Sequence, residues 1–256
     1  MMKPLEGRVA LVTGVSRKRG IGFGIAQRLA QAGANLFLHG YADYDRRQTW
    51  GADNHGMEGI IEDLQHDGVR IQSSNHNFRD PVTPYKIIEE AVGAFGHIDI
   101  LVANHAHSEV GELEDLTADH IDEHLLVNVR GTLLLVQAFA QQHDGRAGGR
   151  VILMISGQHR TPMPNEIAYA ASKGALHQIT PTLATALIER NITVNAVDPG
   201  PTDTGWADQA TYEAVLATQP MGRWGLPDDV ARLVLWLVTD AGCWMTGQVL
   251  NSTGKP

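Results

Sequence analysis

Short apolar runs alternate with segments in which apolar residues recur every three or four positions, and this alternation continues along the whole chain. The short runs are typical of β-strands and the periodic segments of amphipathic helices. Seven strands are predicted, at Arg8–Thr13, Ala34–His39, Val69–Ser73, Ile98–Ala103, Arg150–Ile155, Ile192–Val197 and Gln248–Asn251. Helices are predicted near Ile21–Ala32, Met57–His66, Val82–Ala94, Ala118–Gln142, Ala168–Arg190 and Pro227–Thr239.

The order of these elements predicts the fold class. Strands and helices alternate strictly, and the middle strands are apolar throughout, as strands covered on both faces should be. An α/β fold follows, with a Rossmann-type, doubly wound parallel sheet of seven strands and helices on both faces. No composition break resembles a linker, so residues 1–256 are predicted to form a single domain. Two long connections, Tyr41–Gly56 and Gly200–Arg223, follow strands at the edge where such sheets bind ligands.

Composition narrows the function classes. The 29 acidic and 20 basic residues give a net charge of −9, which disfavours a nucleic-acid partner. A hydrophobic content of 43% excludes a disordered chain, and a single cysteine excludes a disulfide scaffold and suits a reducing compartment. No segment has the pattern of a signal peptide or of a membrane span. We therefore expect a soluble cytoplasmic protein.

A glycine-rich turn joins the first predicted strand to the first predicted helix. It includes Gly14, Gly20 and Gly22, with Ser16 between them and Ile21 opening the helix. Glycines allow the backbone to approach a pyrophosphate, and the free N–H groups of a helix N-terminus bind such an anion. The position of the turn in the first strand–helix unit predicts a dinucleotide site.

The choice of dinucleotide rests on charge. NAD sites usually place a carboxylate after the second strand to bind the ribose hydroxyls. Here that strand is followed by Gly40 and Tyr41, and the first acid is Asp43. Arg17, in the turn, could bind a 2′-phosphate. NADP(H) is therefore favoured over NAD(H).

Four residues form a candidate catalytic set. Tyr169 and Lys173 are four positions apart on a predicted helix, so both lie on one helical face. A neighbouring ammonium group favours the phenolate and would lower the tyrosine pKa toward neutrality. Ser156 ends the preceding strand, and Asn128 lies in the middle of a helix, where an asparagine is unusual unless its amide has a role. With a dinucleotide, this set predicts the interconversion of a carbonyl compound and an alcohol.

These features, over essentially the whole chain, resemble the short-chain dehydrogenase/reductase family. The interval from Ser156 to Tyr169 matches that family, as do four further segments: Asn128–Gly131, Pro199–Thr204, Gly222–Ala231 and Thr246–Leu250. The resemblance implies that Tyr169 is the general acid/base, that Ser156 orients the substrate oxygen and that Lys173 binds the nicotinamide ribose. It also implies that Asn128 supports a water-mediated proton relay.

The resemblance implies the cofactor contacts and the assembly as well. The expected cofactor-binding residues are Gly14, Ser16, Arg17, Gly20, Ile21, Gly22, Asn77, Phe78, Asn104, Tyr169, Lys173, Pro199, Gly200, Thr202 and Thr204. Asn104 would lie by the adenine ribose, with Asn77 and Phe78 beside the adenine. A homotetramer is expected, with Ala118–Gln142 and Ala168–Arg190 in a paired-helix interface and the last strand in a second contact.

Some positions depart from the family pattern. Five residues separate Gly14 from Gly20, a spacing similar to that of bacterial enoyl-acyl-carrier-protein reductases. Those enzymes place tyrosine and lysine seven positions apart, so the spacing of Tyr169 and Lys173 favours carbonyl chemistry. Ala103 and Asn77 also stand where the family commonly has an asparagine and an acid. The alternatives are an enoyl-thioester reductase and a non-catalytic dinucleotide-binding regulator.

The sequence gives less information about the substrate. Many relatives are 3-oxoacyl-acyl-carrier-protein reductases, but Thr182 and Thr185 stand where a basic docking surface for an acidic carrier is expected. A free small ketone or hydroxy compound is therefore predicted, in a pocket closed by residues 200–223. Candidate lining residues are Trp206, Tyr212, Met221, His105, His107 and His159. His120 and His124 have metal-ligand spacing, but no third ligand is indicated, so no metal is predicted.

Overall fold

In the computed structural model, which describes residues 3–66 and 68–255, seven parallel strands form one sheet. The strands are β1 (Val9–Thr13), β2 (Asn35–Gly40), β3 (Ile71–Asn75), β4 (Ile100–Ala103), β5 (Gly149–Met154), β6 (Ile192–Asp198) and β7 (Val249–Asn251). Their order across the sheet is β3-β2-β1-β4-β5-β6-β7, so the predicted Rossmann-type sheet is confirmed. The order reverses between β1 and β4, which is where doubly wound sheets bind ligands.

Helices cover both faces of this sheet. They are α1 (Ile21–Gln31), α2 (Ala42–Arg46), α3 (Gly56–Leu64), α4 (Thr83–Phe95), α5 (Ala118–His124), α6 (Gly131–Gln142), α7 (Ile167–Leu187), α8 (Gln209–Ala217) and α9 (Pro227–Val238). One apolar layer joins α1, α3 and α9 to the sheet, and includes Ile25 and Val234. The opposite layer joins α4, α6 and α7, and includes Phe139 and Leu176. A sheet covered by two layers explains why every position of β1, β4, β5 and β6 is buried.

Three elements differ from the sequence prediction. The helix predicted over Ala118–Gln142 is made of α5, a π-helical stretch at Leu125–Arg130 and α6. The connections Tyr41–Gly56 and Gly200–Arg223 each contain a helix, α2 and α8. Hydrophobic periodicity does not detect α2, because five residues are too few to show a helical period.

The described part of the chain has no helix with both the length and the hydropathy needed to cross a bilayer.

One buried histidine makes the stability of the fold dependent on pH. His39 in β2 is 1% exposed, and burial lowers its pKa from 6.5 to about 4. The unfolded chain therefore binds a proton more readily than the folded one as the pH falls from 6.5 to 4. We expect this histidine alone to reduce the free energy of unfolding by up to about 3 kcal/mol over that interval.

Urea unfolding at about pH 7 and about pH 4.5 measures this effect. The His39→Gln variant, whose amide can still donate to the carbonyl of His76, is expected to lose this part of the pH dependence. The exposed His55 gives a matched control, and His55→Gln is expected to behave like the original protein. An unchanged pH dependence in His39→Gln contradicts the prediction.

Candidate active site

The glycine turn between β1 and α1 is packed closely against the end of β4. Gly14 has φ +71°, and a Cβ there would lie 2.9 Å from the Cα of His105. A Cβ on Gly22 would lie 2.5 Å from the carbonyl oxygen of Gly14. The amide of Asn104 donates to the carbonyls of Thr13 and Gly14 at 3.0 and 3.1 Å. Only glycine fits at positions 14 and 22, and Asn104 fixes the turn to the sheet.

The N-terminus of α1 is open to an anion. Gly20 is its N-cap residue, no side chain caps the helix, and its first turn contains no acid. The N–H groups of Ile21 and Gly22 have no partner within the helix, because the first four such groups of any α-helix lack one. These groups and the helix dipole together attract negative charge.

Arg17 connects the glycine turn to two distant loops. Its Nε lies 3.2 Å from Oδ1 of Asp45, and its Nη1 donates to the carbonyl of Thr204 at 2.9 Å. Its guanidinium carbon also lies 5.2 Å from the ring centroid of Trp50. Ser16 donates to the other oxygen of the buried Asp45. The loop after β2 therefore supplies the carboxylate that neutralises Arg17, two positions beyond the Asp43 noted in the sequence.

The other two basic residues of the turn are also paired. Lys18 Nζ lies 2.6 Å from Asp63 on α3, and Arg19 Nη2 lies 2.5 Å from Asp203 in the connection after β6. Ion pairs therefore join the glycine turn to α3 and to the connection after β6.

The two residues expected beside the adenine differ in exposure. Asn77 is partly exposed, and its amide donates to the hydroxyl of Tyr41 at 3.2 Å. The ring of Phe78 is buried and stacks on the His105 ring, with the centroids 3.6 Å apart.

The connection after β6 begins with a tight turn. Gly200 has φ +61°, and its N–H donates to Asp198 at 2.9 Å. The hydroxyl of Thr202 donates to the carbonyl of Pro199 at 3.1 Å. Four of the expected cofactor-binding residues therefore lie directly after β6: Pro199, Gly200, Thr202 and Thr204. The carbonyl of Thr204 accepts a hydrogen bond from Arg17, so this segment contacts the glycine turn.

Asn128 lies in the π-helical stretch and is fully buried. Its amide oxygen accepts from the N–H of His107 at 2.7 Å, and its amide nitrogen donates to the carbonyl of His107 and to Ser172 Oγ, both at 2.9 Å. Ser172 in turn donates to the carbonyl of Tyr169. The side chain of Asn128 therefore joins the segment after β4 to the first turns of α7. A π-helical stretch inside a helix is frequent at functional sites.

Tyr169 and Lys173 lie on the first turns of α7, and Ser156 follows β5. Lys173 Nζ is buried, donates to the carbonyl of Met154 at 2.8 Å and lies 5.7 Å from the centroid of the Tyr169 ring. Burial lowers the pKa of Lys173 to about 8. Burial raises the pKa of Tyr169 well above its ordinary value, and the carboxylate of Glu166 raises it further. The expectation that Lys173 lowers the tyrosine pKa toward neutrality is therefore wrong for this geometry.

Two comparisons with known proteins identify the family. A family model described as "Enoyl-(Acyl carrier protein) reductase" matches residues 14–254. A solved short-chain dehydrogenase from Burkholderia cenocepacia J2315, in complex with NADP, is 36% identical, with 98% of each chain covered and a TM-score of 0.87. The chain belongs to the short-chain dehydrogenase/reductase family. It is therefore an oxidoreductase. Separately, no helix able to span a membrane occurs in the residues described.

Other relatives cover the chain to a similar extent. An uncharacterized oxidoreductase, YjdA, from Bacillus subtilis (strain 168) is 36% identical over 99% of this chain and 98% of its own length. A blue fluorescent protein from a metagenomic library, solved in complex with NADPH, is 31% identical, with 98% of each chain covered and a TM-score of 0.86.

The residues of this short-chain dehydrogenase/reductase fit a dinucleotide. The uncapped N-terminus of α1 suits a pyrophosphate. Positions 14 and 22 have room only for glycine, so no side chain at these positions covers that N-terminus. The ammonium group of Lys173 lies at the carboxyl end of β5, where it donates to the carbonyl of Met154.

The loop after residue 200 packs partly on itself. The ring of Tyr212 stacks on Trp224 with centroids 5.0 Å apart, and Trp206 packs edge-on against Trp224 at 6.0 Å. Met221 is exposed. Trp224, which the sequence analysis did not single out, is the buried centre of this group.

Three histidines cluster beside Tyr169. The ring centroid of His124 lies 6.4 Å from that of Tyr169, 4.6 Å from His107 and 4.8 Å from His120. Burial lowers the pKa of His107 to about 4, so its ring is neutral at pH 7. His159 lies apart, against His177 at 4.7 Å. Within residues 3–66 and 68–255, no group of three or more potential ligands is arranged to hold a metal ion.

Sequence reasoning missed several residues at this site. Asp45 and Trp50 contact Arg17, Tyr44 hydrogen-bonds the backbone of Ser108, and Gln158 donates to Glu166 beside Tyr169. For Tyr44, Asp45 and Trp50, the sequence signal was the length of the connection after β2, which is unusual for a loop without a function.

Proposed function

We propose that this oxidoreductase interconverts a ketone or aldehyde and the corresponding alcohol by hydride transfer, with NADP(H) preferred to NAD(H). The observation that carries the proposal is the placement of Tyr169 and Lys173 on adjacent turns of α7, beside the end of β5 where Ser156 lies. A carbonyl bound there would meet a proton donor, a hydroxyl group and a cation. Two similar solved structures, described with NADP and NADPH, support the cofactor class.

In this proposal, Gly14, Gly20, Ile21 and Gly22 hold the pyrophosphate, and Arg17 faces the 2′-phosphate. Ser16, Asn77, Phe78 and Asn104 belong to the adenosine side, and Lys173 and the segment from Pro199 to Thr204 to the nicotinamide side. When bound in its reduced form, the cofactor supplies the hydride for the carbonyl carbon.

Side chains of the protein orient the substrate and supply the proton. Ser156 orients the carbonyl oxygen, and the hydroxyl of Tyr169 donates its proton to that oxygen as negative charge develops on it. A phenol whose pKa is raised by burial stays protonated at neutral pH, which suits the reductive direction. Lys173 stabilises the same negative charge with its ammonium group. Asn128, whose amide is engaged by His107 and Ser172, is a positioning residue for the proton relay.

The test follows NADPH and NADH oxidation across a panel of diketones, aromatic ketones, hydroxy ketones, a 3-oxoacyl thioester and a 2-enoyl thioester. Reduction of a free ketone, faster with NADPH, is the expected result. Reduction of the enoyl thioester alone contradicts the proposal, as does cofactor binding without turnover of any compound, which would indicate a dinucleotide-binding regulator.

The enoyl-thioester reductase is the second candidate function. The description of the matching family model and the five residues between Gly14 and Gly20 favour it. The spacing of Tyr169 and Lys173, four rather than seven positions, favours carbonyl reduction, because that spacing determines the geometry of proton transfer whereas the loop length does not.

The pH dependence of reduction should reflect Lys173. Its pKa of about 8 means that the ammonium form predominates below pH 8 and is lost above it. Because the charged form stabilises the developing alkoxide, we expect kcat to be flat between about pH 6 and pH 7.5 and to fall about tenfold per unit well above pH 8. Initial rates at saturating ketone and NADPH measure this.

The assignment of this decline to Lys173 is checked with a variant whose side-chain charge does not titrate in this pH range. Lys173→Arg is expected to remove the decline above pH 8 even if it lowers the absolute rate, because arginine keeps its charge. A decline that persists in Lys173→Arg assigns the titration to another group.

We also propose a homotetramer. The exposed Leu125 and Ile188 lie on the helices expected in the paired-helix interface, and Trp244, close to β7, is 95% exposed. Exposed aromatic and aliphatic residues of this kind are typical of subunit contacts. Light scattering on the purified protein is expected to give the mass of four chains.

A further inference from the structure

Gln158 and Glu166 form a polar part of the site beside Tyr169, called the polar wall below. It contains hydrogen-bonding atoms that have no partner among the described residues. Gln158 lies two residues after Ser156, and Glu166 lies three residues before Tyr169. Gln158 Nε2 donates to Glu166 Oε2. This hydrogen bond joins the two segments that carry the hydroxyl groups expected to contact the substrate oxygen.

The hydrogen bond leaves two acceptors without a donor. Gln158 Oε1 is buried and has no partner among the described residues. The other oxygen of Glu166 accepts no hydrogen bond within residues 3–66 and 68–255, although the side chain is partly buried. A buried acceptor without a donor is uncommon in a folded protein, and it is a reason to look for a ligand.

The polar wall continues on the other side of Tyr169. Gly111 pairs with Glu166 in an isolated β-bridge, and the His120 ring lies on Gly111, where a Cβ would be 2.7 Å from the ring. Both ring nitrogens of His120 and Nε2 of His107 are buried and have no hydrogen-bond partner in the described part of the chain; His107 Nε2 lies 3.8 Å from Glu109 Oε1. His124 lies between these two rings, and its own nitrogens are engaged by the backbone of His120 and Glu109.

We propose that the substrate is a polar carbonyl compound with a hydroxyl group next to the carbonyl, and that Glu166 and Gln158 accept the hydrogen bond of that hydroxyl. This inference rests on the proposed carbonyl reduction at Tyr169 and names its substrate class. A hydroxyl group donates to either acceptor, while a hydrocarbon chain in the same place would leave both unpaired. The neutral imidazole of His107 can serve a further hydroxyl, because it both donates and accepts.

The wall also argues against an anionic substrate. Glu166 places a carboxyl group beside Tyr169, and burial raises the pKa of this carboxyl above its ordinary value. The nearest arginine after Ser156, Arg160, is engaged by Asp198 at 3.0 Å. A neutral hydroxylated carbonyl compound satisfies this arrangement without placing like charges together.

The test uses two ketones of nearly equal shape, dihydroxyacetone and 3-pentanone, in which hydroxyl groups replace methyl groups. We expect kcat/KM of the unmodified enzyme with NADPH to be at least about tenfold higher for dihydroxyacetone. Gln158→Met is expected to lower that value about tenfold and to leave 3-pentanone within about twofold. Glu166→Gln, which also removes the charge beside Tyr169, is expected to lower the ratio of the dihydroxyacetone value to the 3-pentanone value about tenfold. The matched control is Glu189→Gln, at an exposed carboxylate just beyond the other end of α7, which should change neither value.

Each other outcome has a distinct meaning. If the variants slow both ketones equally, the pair is merely structural and the inference is overturned. If kcat/KM of the unmodified enzyme for 3-pentanone or for aromatic ketones equals or exceeds that for dihydroxyacetone, the proposed carbonyl reduction is supported and the proposed substrate class is wrong. If no ketone is reduced, the proposed function and this inference fail together.

Discussion

Replacing Tyr169 with phenylalanine is expected to lower kcat for ketone reduction about 10³-fold, within the range that general acid catalysis contributes. The ring stays in place, so its packing near His124 and Lys173 is kept, and only the proton donor is lost. NADPH affinity should change by less than about threefold, because the phenol is not a main source of binding energy for a charged dinucleotide. Steady-state rates and a fluorescence titration with NADPH measure the two quantities separately.

The matched control is Tyr85→Phe. Tyr85 is exposed on α4, and its hydroxyl donates to Gln137 at 2.7 Å, far from the sheet edge that carries the site. This variant is expected to keep full activity. If Tyr169→Phe also keeps full activity, the assignment of the proton donor is wrong. If it loses NADPH binding together with activity, the hydroxyl of Tyr169 contributes to cofactor binding and the loss of activity does not identify it as the proton donor.

The fold could be predicted from the sequence because its determinants are local and repeated. The central strands are short and mostly apolar, and each main helix carries a periodic apolar face, so the number and type of these elements follow from pattern alone. The parallel order then follows from the strict alternation and the handedness of crossovers. The short helices α2 and α8 were not predicted, since they lie in connections whose conformation depends on contacts with other segments.

The catalytic set could be proposed from spacing, but its electrostatics could not. The four-residue interval between Tyr169 and Lys173 predicts a shared helical face, and the structure has this arrangement. The pKa of Tyr169 depends instead on burial and on Glu166, and the lysine ammonium is held by a carbonyl of β5. The burial and the contact of Lys173 with β5 depend on how separate segments pack together, so no local pattern contains them.

The same reasoning applies to the cofactor turn. Arg17 is visible in the sequence as a cation in a phosphate-binding loop. Its pairing with Asp45 and Trp50 requires the loop after β2 to fold back over the turn, which only the tertiary structure establishes. The charge available to a ligand is therefore smaller than the sequence indicates, and in the proposed function the preference for NADP(H) depends on the Arg17–Asp45 pair rather than on the arginine alone.

Replacing Arg17 with alanine is expected to weaken NADPH binding by about 10- to 100-fold, the range of a lost charge-assisted hydrogen bond. NADH, which has no 2′-phosphate, should lose less than about threefold. Trp50, which lies against the guanidinium, provides a fluorescence signal for equilibrium titration of either dinucleotide. Binding is thereby measured without relying on catalysis.

Asp45→Asn separates the two members of the pair. Its carboxylate lies 3.2 Å from Arg17 Nε, so its removal frees the guanidinium and also removes a negative charge near the proposed phosphate position. We expect the preference for NADPH over NADH to increase about tenfold in this variant. Arg46→Ala is the control for general charge effects, because Arg46 lies in the same helix, α2, but is exposed and forms its ion pair with Asp43, three positions earlier. Equal losses of NADPH and NADH affinity in Arg17→Ala would show that Arg17 positions the loops instead of binding the 2′-phosphate, since a structural defect does not distinguish the two dinucleotides.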